Sequence, residues 1–393
     1  DDLNKKSGFL RPGRGVVYSR VLRTVLFLNI RNQTYFFRFT AVYKRLYSRF
    51  RGVSGSRILF CIRQILFNRK KGRRLLLTKD YQIMISKNQE LEGVVISIGS
   101  NGEGVVKADG VTVFVPFAIT GEKIKYKVLK VTSKCAYGKL LEVLSPSRER
   151  VKPRCPVFGK CGGCDLQHVN YDFQLEIKRE NFKNCFHKIA GIDAEISQTV
   201  RCENPWGYRN KLQLPVAQYG EETAIGFYAE NSHRVVAIDD CPINPCWTKK
   251  IIATLKAFMS KYRLKGYNEY DRSGDIREIT VKEIGEKLII TLVTPKNKIN
   301  GIERFPEMLS ESLDKEFTLF VNKNDKETNV IYGDTFTKIC GNDFYYGESD
   351  GIKYKGGVLS FLQVNGEMCA KLYSEVKNSI DSDENTTVID AYS

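Results

Sequence analysis

Three cysteines within one short stretch, Cys155-Pro156-Val157-Phe158-Gly159-Lys160-Cys161-Gly162-Gly163-Cys164, constrain this chain more than any other segment. Their spacing brings three thiolates to one loop. The two glycines let backbone amides approach a large inorganic centre and bond its sulfur atoms. Such a centre needs a fourth ligand. Cys241, followed by Pro242 as Cys155 is by Pro156, is the best candidate, and Cys246 competes with it. Spacing alone leaves three readings open: an iron–sulfur cluster, a structural zinc ion, and plain buried cysteines. The remaining cysteines (Cys61, Cys135, Cys185, Cys202, Cys340 and Cys369) read as ordinary core or surface residues. No segment reads as a secretory signal or a membrane span, since the best apolar run, Val25 to Ile30, is far shorter than a span requires and is flanked by Arg23 and Arg31. Eleven cysteines in such a chain point to a reducing, cytoplasmic setting and to metal binding rather than to disulfides.

Charge is distributed unevenly. The net charge is +17, and residues 1–82 alone hold 20 Lys or Arg against three acids, so the rest of the chain is balanced. The basic segment reads either as a nucleic-acid-binding arm or as translated upstream sequence. It contains no Met, shows no helical or strand period, and is followed by Met84 and an ordinary domain start. These features favour the second reading for residues 1–83, with Met84 as the start. The positive charge is therefore no evidence for RNA binding.

From Leu91 to Leu144 short alternating runs are punctuated by glycine: Glu92–Gly99, Val111–Pro116, Lys123–Val128 and Lys139–Leu144. That pattern predicts a small barrel of the OB type. After a polar linker, Ser145–Arg150, and the cysteine loop comes a predicted helix from Phe173 to Ile189, with Asp172 as N-cap and Gly191 as its stop. Residues 205–340 mix strands and helices as in an α+β domain. Thr386–Asp390 reads as the strand that opens a nucleotide-binding α/β fold.

Together these segments resemble the RNA (uracil-5-)methyltransferase family, specifically its iron–sulfur branch acting on 23S ribosomal RNA. The resemblance rests on the Cys155–Cys164 loop with Gln174-Leu175-Glu176-Ile177-Lys178 after it, and on Tyr208-Arg209-Asn210-Lys211. It rests also on Asp240-Cys241-Pro242, Phe361-Leu362-Gln363-Val364-Asn365 and Asp390-Ala391-Tyr392-Ser393. It covers residues 85–393. The fold it implies is a multidomain α/β protein: a TRAM-type OB-like barrel over 84–146, an iron–sulfur and RNA-binding α+β domain over 147–345, and the start of a Rossmann-like SAM domain over 346–393. It implies a 4Fe–4S cluster on Cys155, Cys161, Cys164 and Cys241, and S-adenosyl-L-methionine held near Gln363 and Tyr392. Arg209, Lys211 and Arg277 lie in segments that resemble its RNA-contacting domain. The implied substrate is RNA, 23S ribosomal RNA ahead of transfer RNA, with no membrane or obligate protein partner.

The implied chemistry starts with a cysteine thiolate adding to carbon 6 of uracil, which makes carbon 5 nucleophilic toward the methyl donor. A carboxylate then removes the carbon-5 proton. In the family both residues follow the SAM motif, so none of the cysteines before Ser393 is read as nucleophile, and residues 1–393 alone are expected to bind RNA without turnover. A radical-SAM methylthiotransferase would need Cys-x3-Cys-x2-Cys, which does not occur. A non-catalytic RNA-binding protein with a structural metal explains the barrel and cysteines, but not the Gln363-Val364-Asn365 segment.

Overall fold

The computed structural model describes residues 28–30, 33–35, 85–349, 351–380 and 386–389. Two compact units divide the chain: residues 1–78 with 371–393, and residues 79–370. Within the basic segment, the described part of the first unit is an antiparallel hairpin of β1 (Leu28–Ile30) and β2 (Gln33–Tyr35).

The second unit opens with a closed five-stranded barrel. Its strands are β3 (Glu90–Ile98), β4 (Gly104–Ala108), β5 (Val111–Val115), β6 (Lys123–Val131) and β7 (Cys135–Ser145). They close in the order β3-β4-β5-β7-β6, with β5–β7 the one parallel pair. Alternation dictates the inside: Ile124, Tyr126 and Val128 of β6 are fully buried, and the lysines between them face outward. Gly104 lets the loop after β5 pack against the strand, because a Cβ there would lie 2.7 Å from Ala118 Cβ and 2.8 Å from its carbonyl oxygen. The strand β4 was not separable from the Asn101–Gly104 turn in the sequence.

Helix α1 (Tyr171–Cys185) follows the cysteine loop and runs into a π-helical turn, Phe186–Ala190, that ends on left-handed Gly191 at φ 66°. The cap is Asn170, whose side chain accepts from Asp172 N at 3.0 Å, rather than Asp172 itself.

Next comes a seven-stranded sheet, ordered β10-β9-β8-β11-β12-β13-β14. The strands are β8 (Lys211–Tyr219), β9 (Glu222–Tyr228), β10 (Val235–Ala237), β11 (Glu278–Ile284), β12 (Lys287–Thr294), β13 (Phe317–Lys323) and β14 (Thr335–Cys340). Only β12–β13 is parallel, and the crossover between them carries α3 (Phe305–Ser312). Leu212, Leu214, Ile279, Val281, Ile290, Leu292 and Leu319 form one face. They pack under α2 (Trp247–Tyr262) and α3, where the Phe258 and Phe305 rings meet at 4.5 Å. The opposite face is polar along β8 and β11, with Lys211, Gln213, Glu278, Thr280 and Lys282. Part of that face lies under a hairpin of β15 (Phe344–Ser349) and β16 (Ile352–Gly357), through Ile284, Ile289, Phe320 and Tyr345.

Helix α4 (Gly366–Asn378) follows. The strand expected at Thr386–Asp390 is not formed over 386–389, which are irregular, with Val388 and Ile389 exposed. A single β-branched run becomes a strand only beside a neighbour to bond with, and propensity does not supply one. Asp390 and Tyr392 lie outside the described residues.

Candidate functional site

Cys155 to Cys164 fold as consecutive tight turns. The amides of Lys160 and Cys161 both donate to Val157 O at 3.0 Å, and Gly159 takes a left-handed φ of 79°. Gly162 donates to Tyr228 O at 3.0 Å, which fastens the loop to the end of β9, and a Cβ there would lie 2.9 Å from Glu230 N. No other residue fits that approach. Gln167 holds the loop's two ends: its Oε1 accepts from Cys155 N at 3.2 Å, and its side chain also bonds the Cys164 thiol.

Cys241 enters from the loop after β10 and is buried. Burial pushes its thiol up to about 11, with Cys164 and Cys155 adding to the rise. Burial likewise raises Cys161 and Cys164. Cys155 adds to the first, and Cys161 and Cys155 to the second. Cys161, Cys164 and Cys241 are thus desolvated thiols, and Cys155 lies close enough to raise all three, because thiolates repel. Backbone amides already aim at sulfur: Gly163 at Cys161, Ile243 and Asn244 at Cys241. Cys246 is exposed at the N-cap of α2. Among the described residues, no three His, Cys, Asp or Glu side chains are grouped tightly enough to hold a metal ion. Ligands of a single ion converge on one point, whereas thiolates of a cubane attach to its separate corners.

The Tyr208-Arg209-Asn210-Lys211 segment joins this loop to the donor-side motif. On one side Gly207 N donates to Pro242 O and Arg209 N to Ile243 O, both at 3.0 Å. Buried Asn244 donates its Nδ2 to Arg209 O (3.4 Å) and Lys211 O (3.2 Å). On the other side Asn210 N donates to Val364 O at 3.0 Å, and Asn210 Nδ2 to Gln363 O at 2.8 Å. Asn365 bridges to Arg209 and caps α4 by accepting from Met368 N at 3.0 Å. Glu367 completes the seam, accepting from Cys202 Sγ at 3.0 Å and Glu203 N at 2.7 Å. Gln363 is exposed, so its side chain is open to a partner, and Asn365 rather than Gln363 is the helix-entry cap.

The three cations singled out in the sequence fare differently. Arg277 is committed to its own fold: its guanidinium donates to Lys326 O and Thr328 O at 2.8 Å and lies over the Tyr267 ring. Lys211 is half-buried, its pKa lowered by burial and by nearby Arg209. Arg209 lends its backbone to the seam just described. Sequence reasoning missed Asn244 and Lys282. Buried Lys282 donates to Val358 O (2.5 Å) and Ser360 O (2.7 Å), and burial pulls its pKa down to about 8. It thereby anchors the loop that leads into Gln363. The signal was present as polar residues at positions 278, 280 and 282, alternating with apolar Ile279 and Val281.

The chain matches no family model. It is 35% identical over 312 residues to an uncharacterized RNA methyltransferase of Clostridium tetani, covering 79% of this chain and 68% of the relative. A relative named in the same way from Clostridium acetobutylicum is 34% identical over 318 residues, with the same coverage. Among solved structures, the tRNA (uracil-54, C5)-methyltransferase of Pyrococcus abyssi, in complex with S-adenosyl-L-homocysteine, superposes with a TM-score of 0.59 and 25% identity. The match covers 74% of this chain and 65% of that one. The chain thus spans about two thirds of the length of the proteins it matches. On these grounds it belongs to the RNA methyltransferase family.

Proposed function

We propose that this chain is part of an enzyme that uses S-adenosyl-L-methionine to methylate carbon 5 of a uridine in RNA, with 23S ribosomal RNA as the substrate. One observation carries the reading: the segment Tyr208–Lys211 is hydrogen-bonded both to the Cys241 loop and to Gln363–Asn365. Three motifs far apart in sequence form one continuous seam, and all three are among the segments that resemble the same family. The five-stranded barrel is read as the TRAM domain, and the protein as cytoplasmic. Among the described residues no helix is long and apolar enough to cross a membrane.

Cys155, Cys161, Cys164 and Cys241 fit a 4Fe–4S cluster. Cys161, Cys164 and Cys241 are desolvated beside Cys155, amides are aimed at two of the thiols, and glycine stands where the loop must close on β9. When bound, such a cluster would cross-link the loop before α1 to the loop after β10. S-adenosyl-L-methionine supplies the methyl group; Gln363 is read as one of the groups that faces it, held in place by Asn210 and Lys282. The resemblance assigns the nucleophilic cysteine and the proton-abstracting carboxylate to positions after the donor-binding turn, and no cysteine described above takes either role.

Deleting the gene and digesting ribosomal and transfer RNA to nucleosides tests the reading. Loss of 5-methyluridine from 23S ribosomal RNA supports it. Loss from transfer RNA, the substrate named for the archaeal neighbour, moves the target, and unchanged 5-methyluridine in both overturns the reaction.

A further inference from the structure

The polar face of the central sheet carries a carboxyl that the fold leaves unsatisfied. Along β11, Glu278, Thr280 and Lys282 lie opposite Pro215, Gln213 and Lys211 of β8. Lys211 and Lys282 are thus direct cross-strand partners of like charge, an unfavourable pairing that an anion placed between them would relieve. Thr280 Oγ1 is bonded to the Tyr332 hydroxyl at 2.7 Å. Glu278 lies close enough to Lys211 and Arg277 to feel both charges, and close enough to Tyr228 and Tyr332 to raise both phenols. Yet Arg277 is spent on the carbonyls of Lys326 and Thr328, and Lys282 on those of Val358 and Ser360. Among the described residues, neither the Glu278 carboxyl nor the Lys211 ammonium has a hydrogen-bond or ion-pair partner. The Glu278 oxygens are not among the fully buried polar atoms, so water reaches them in the free protein. A partly desolvated carboxylate gains when a ligand replaces that water with directed donors.

We propose that this face seats an unpaired nucleotide of the RNA substrate, with Glu278 accepting hydrogen bonds from the Watson–Crick edge of a guanine and Lys211 meeting the phosphate. The inference rests on the RNA reading above and adds a base preference to it. Guanine is the base that fits, because its N1–H and N2–H donors lie side by side and match the two oxygens of a carboxylate. Uracil sets a single N3–H between two carbonyls that would repel the carboxylate. Adenine and cytosine each offer one amino group beside a bare ring nitrogen. Tyr228 and Tyr332 supply aromatic surface on which an unstacked base can lie.

Fluorescence anisotropy with the full chain tests it, using labelled oligouridylate and the same oligomer carrying one central guanosine, adenosine or cytidine. The guanosine oligomer should bind about tenfold tighter than plain oligouridylate, the lower range for a bidentate base contact. Glu278→Gln, which keeps the shape of the side chain, should abolish that preference and leave oligouridylate binding and its salt slope unchanged. Lys211→Ala should weaken every oligomer alike and reduce the salt slope by about one.

The wild-type chain gives a second measurement that needs no variant. Burial pushes Glu278 up to about 7, and guanine's donors require the ionised form. The guanosine-to-uridine ratio should therefore be full above that pH and fade below it. His233, whose ring lies 5.8 Å from that of Tyr228, is a second ionisable side chain beside that ring. Glu278→Gln must therefore remove the pH dependence as well. Protonation of Lys282, near pH 8, affects all oligomers equally and cancels in the ratio. Salt-dependent binding without a guanosine preference, or a preference that Glu278→Gln retains, overturns the assignment of Glu278. Failure of wild type to bind any oligomer overturns the RNA reading and this inference with it.

Discussion

Four donors converge on the Glu122 carboxylate, and removing it should loosen the barrel from the cysteine loop. It is fully buried in the turn before β6. Arg150 donates to it through Nε at 2.6 Å and through a terminal nitrogen at 2.7 Å, in the fork geometry that suits a carboxylate. Ile119 N and Ser147 N add bonds at 2.9 and 3.2 Å. Burial by itself would raise the pKa of Glu122, but these donors outweigh it and hold the carboxyl below its usual value. Arg150 also bonds Phe117 O at 2.7 Å, and Val151 N beside it donates to His168 O. The ring of His168 is wedged against Phe117 and Phe158, the latter inside the cysteine loop. Glu122→Ala strips a half-buried cation of its partner and orphans two amides. Breaking such a pair costs about 3–5 kcal/mol. Urea denaturation monitored by circular dichroism should show a loss of that size, and the double variant Glu122→Ala/Arg150→Met should recover much of it, since the stranded cation is gone. A loss under about 1 kcal/mol, or costs that simply add in the double variant, would refute the claim that the pair acts as a unit.

The same carboxyl sets a pH response. Because its pKa is depressed on folding, its contribution is fully present above the unfolded carboxylate value and is lost as pH falls through the lower folded value; acid unfolding of wild type should be steeper there than that of Glu122→Gln. Chain purified without oxygen should contain about four irons. Cys241→Ser should lose them while Cys246→Ser keeps them, and one zinc per chain with no iron would refute the cluster. Asn210→Ala deletes the bond to Gln363 O, a loss of about 1 kcal/mol, and should speed hydrogen exchange at residues 363–369 in mass spectrometry without changing metal content. Lys282→Met should raise exchange in the 358–362 loop while leaving the barrel protected.

How far the sequence reached depended on whether the determining contact was local. The barrel was legible because Lys123–Val128 alternates strictly, and one buried face on a strand is a local property. The cysteine loop was legible because spacing and glycine content are local too. Gly191 stopped its helix as expected, since a left-handed end is a single-residue property. By contrast, Asn170 and Asp172 are both good caps, and the choice fell to where the first helical turn closed. The parallel pairing of β12 with β13 was not readable, because two apolar runs do not state which neighbours they will find. Arg277 shows the limit for site residues: an arginine in a matching segment is ligand or scaffold according to which carbonyls fold back upon it, here those of a loop some fifty residues later. The Thr386 segment fails for the opposite reason: its composition favours a strand, and composition alone does not pair it.

The seam through Tyr208–Lys211 bears on why four cysteines should stand in an enzyme whose reaction transfers a methyl group and no electron. The Cys241 loop is bonded to Gly207 and Arg209 through its backbone and to Arg209 and Lys211 through the Asn244 side chain. Those residues continue into Asn210, which fixes Val364 and Gln363. Each such bond is worth only about 1 kcal/mol net, so a loop held by a handful of them opens more readily than a strand core. Joining Cys241 covalently to Cys155, Cys161 and Cys164 would remove that freedom at one end of the seam, and the stiffness would be passed along it to Gln363. This gives the proposed cluster a positioning role that differs from a redox role in a measurable way. Chelating the metal from the intact protein should raise hydrogen exchange first at residues 241–245 and then at residues 207–211 and 363–365, with the barrel core at Ile124, Tyr126 and Val128 unchanged. Exchange confined to the cysteine loops, with the Gln363 segment as protected as before, would show that the seam does not transmit and that the cluster serves something else.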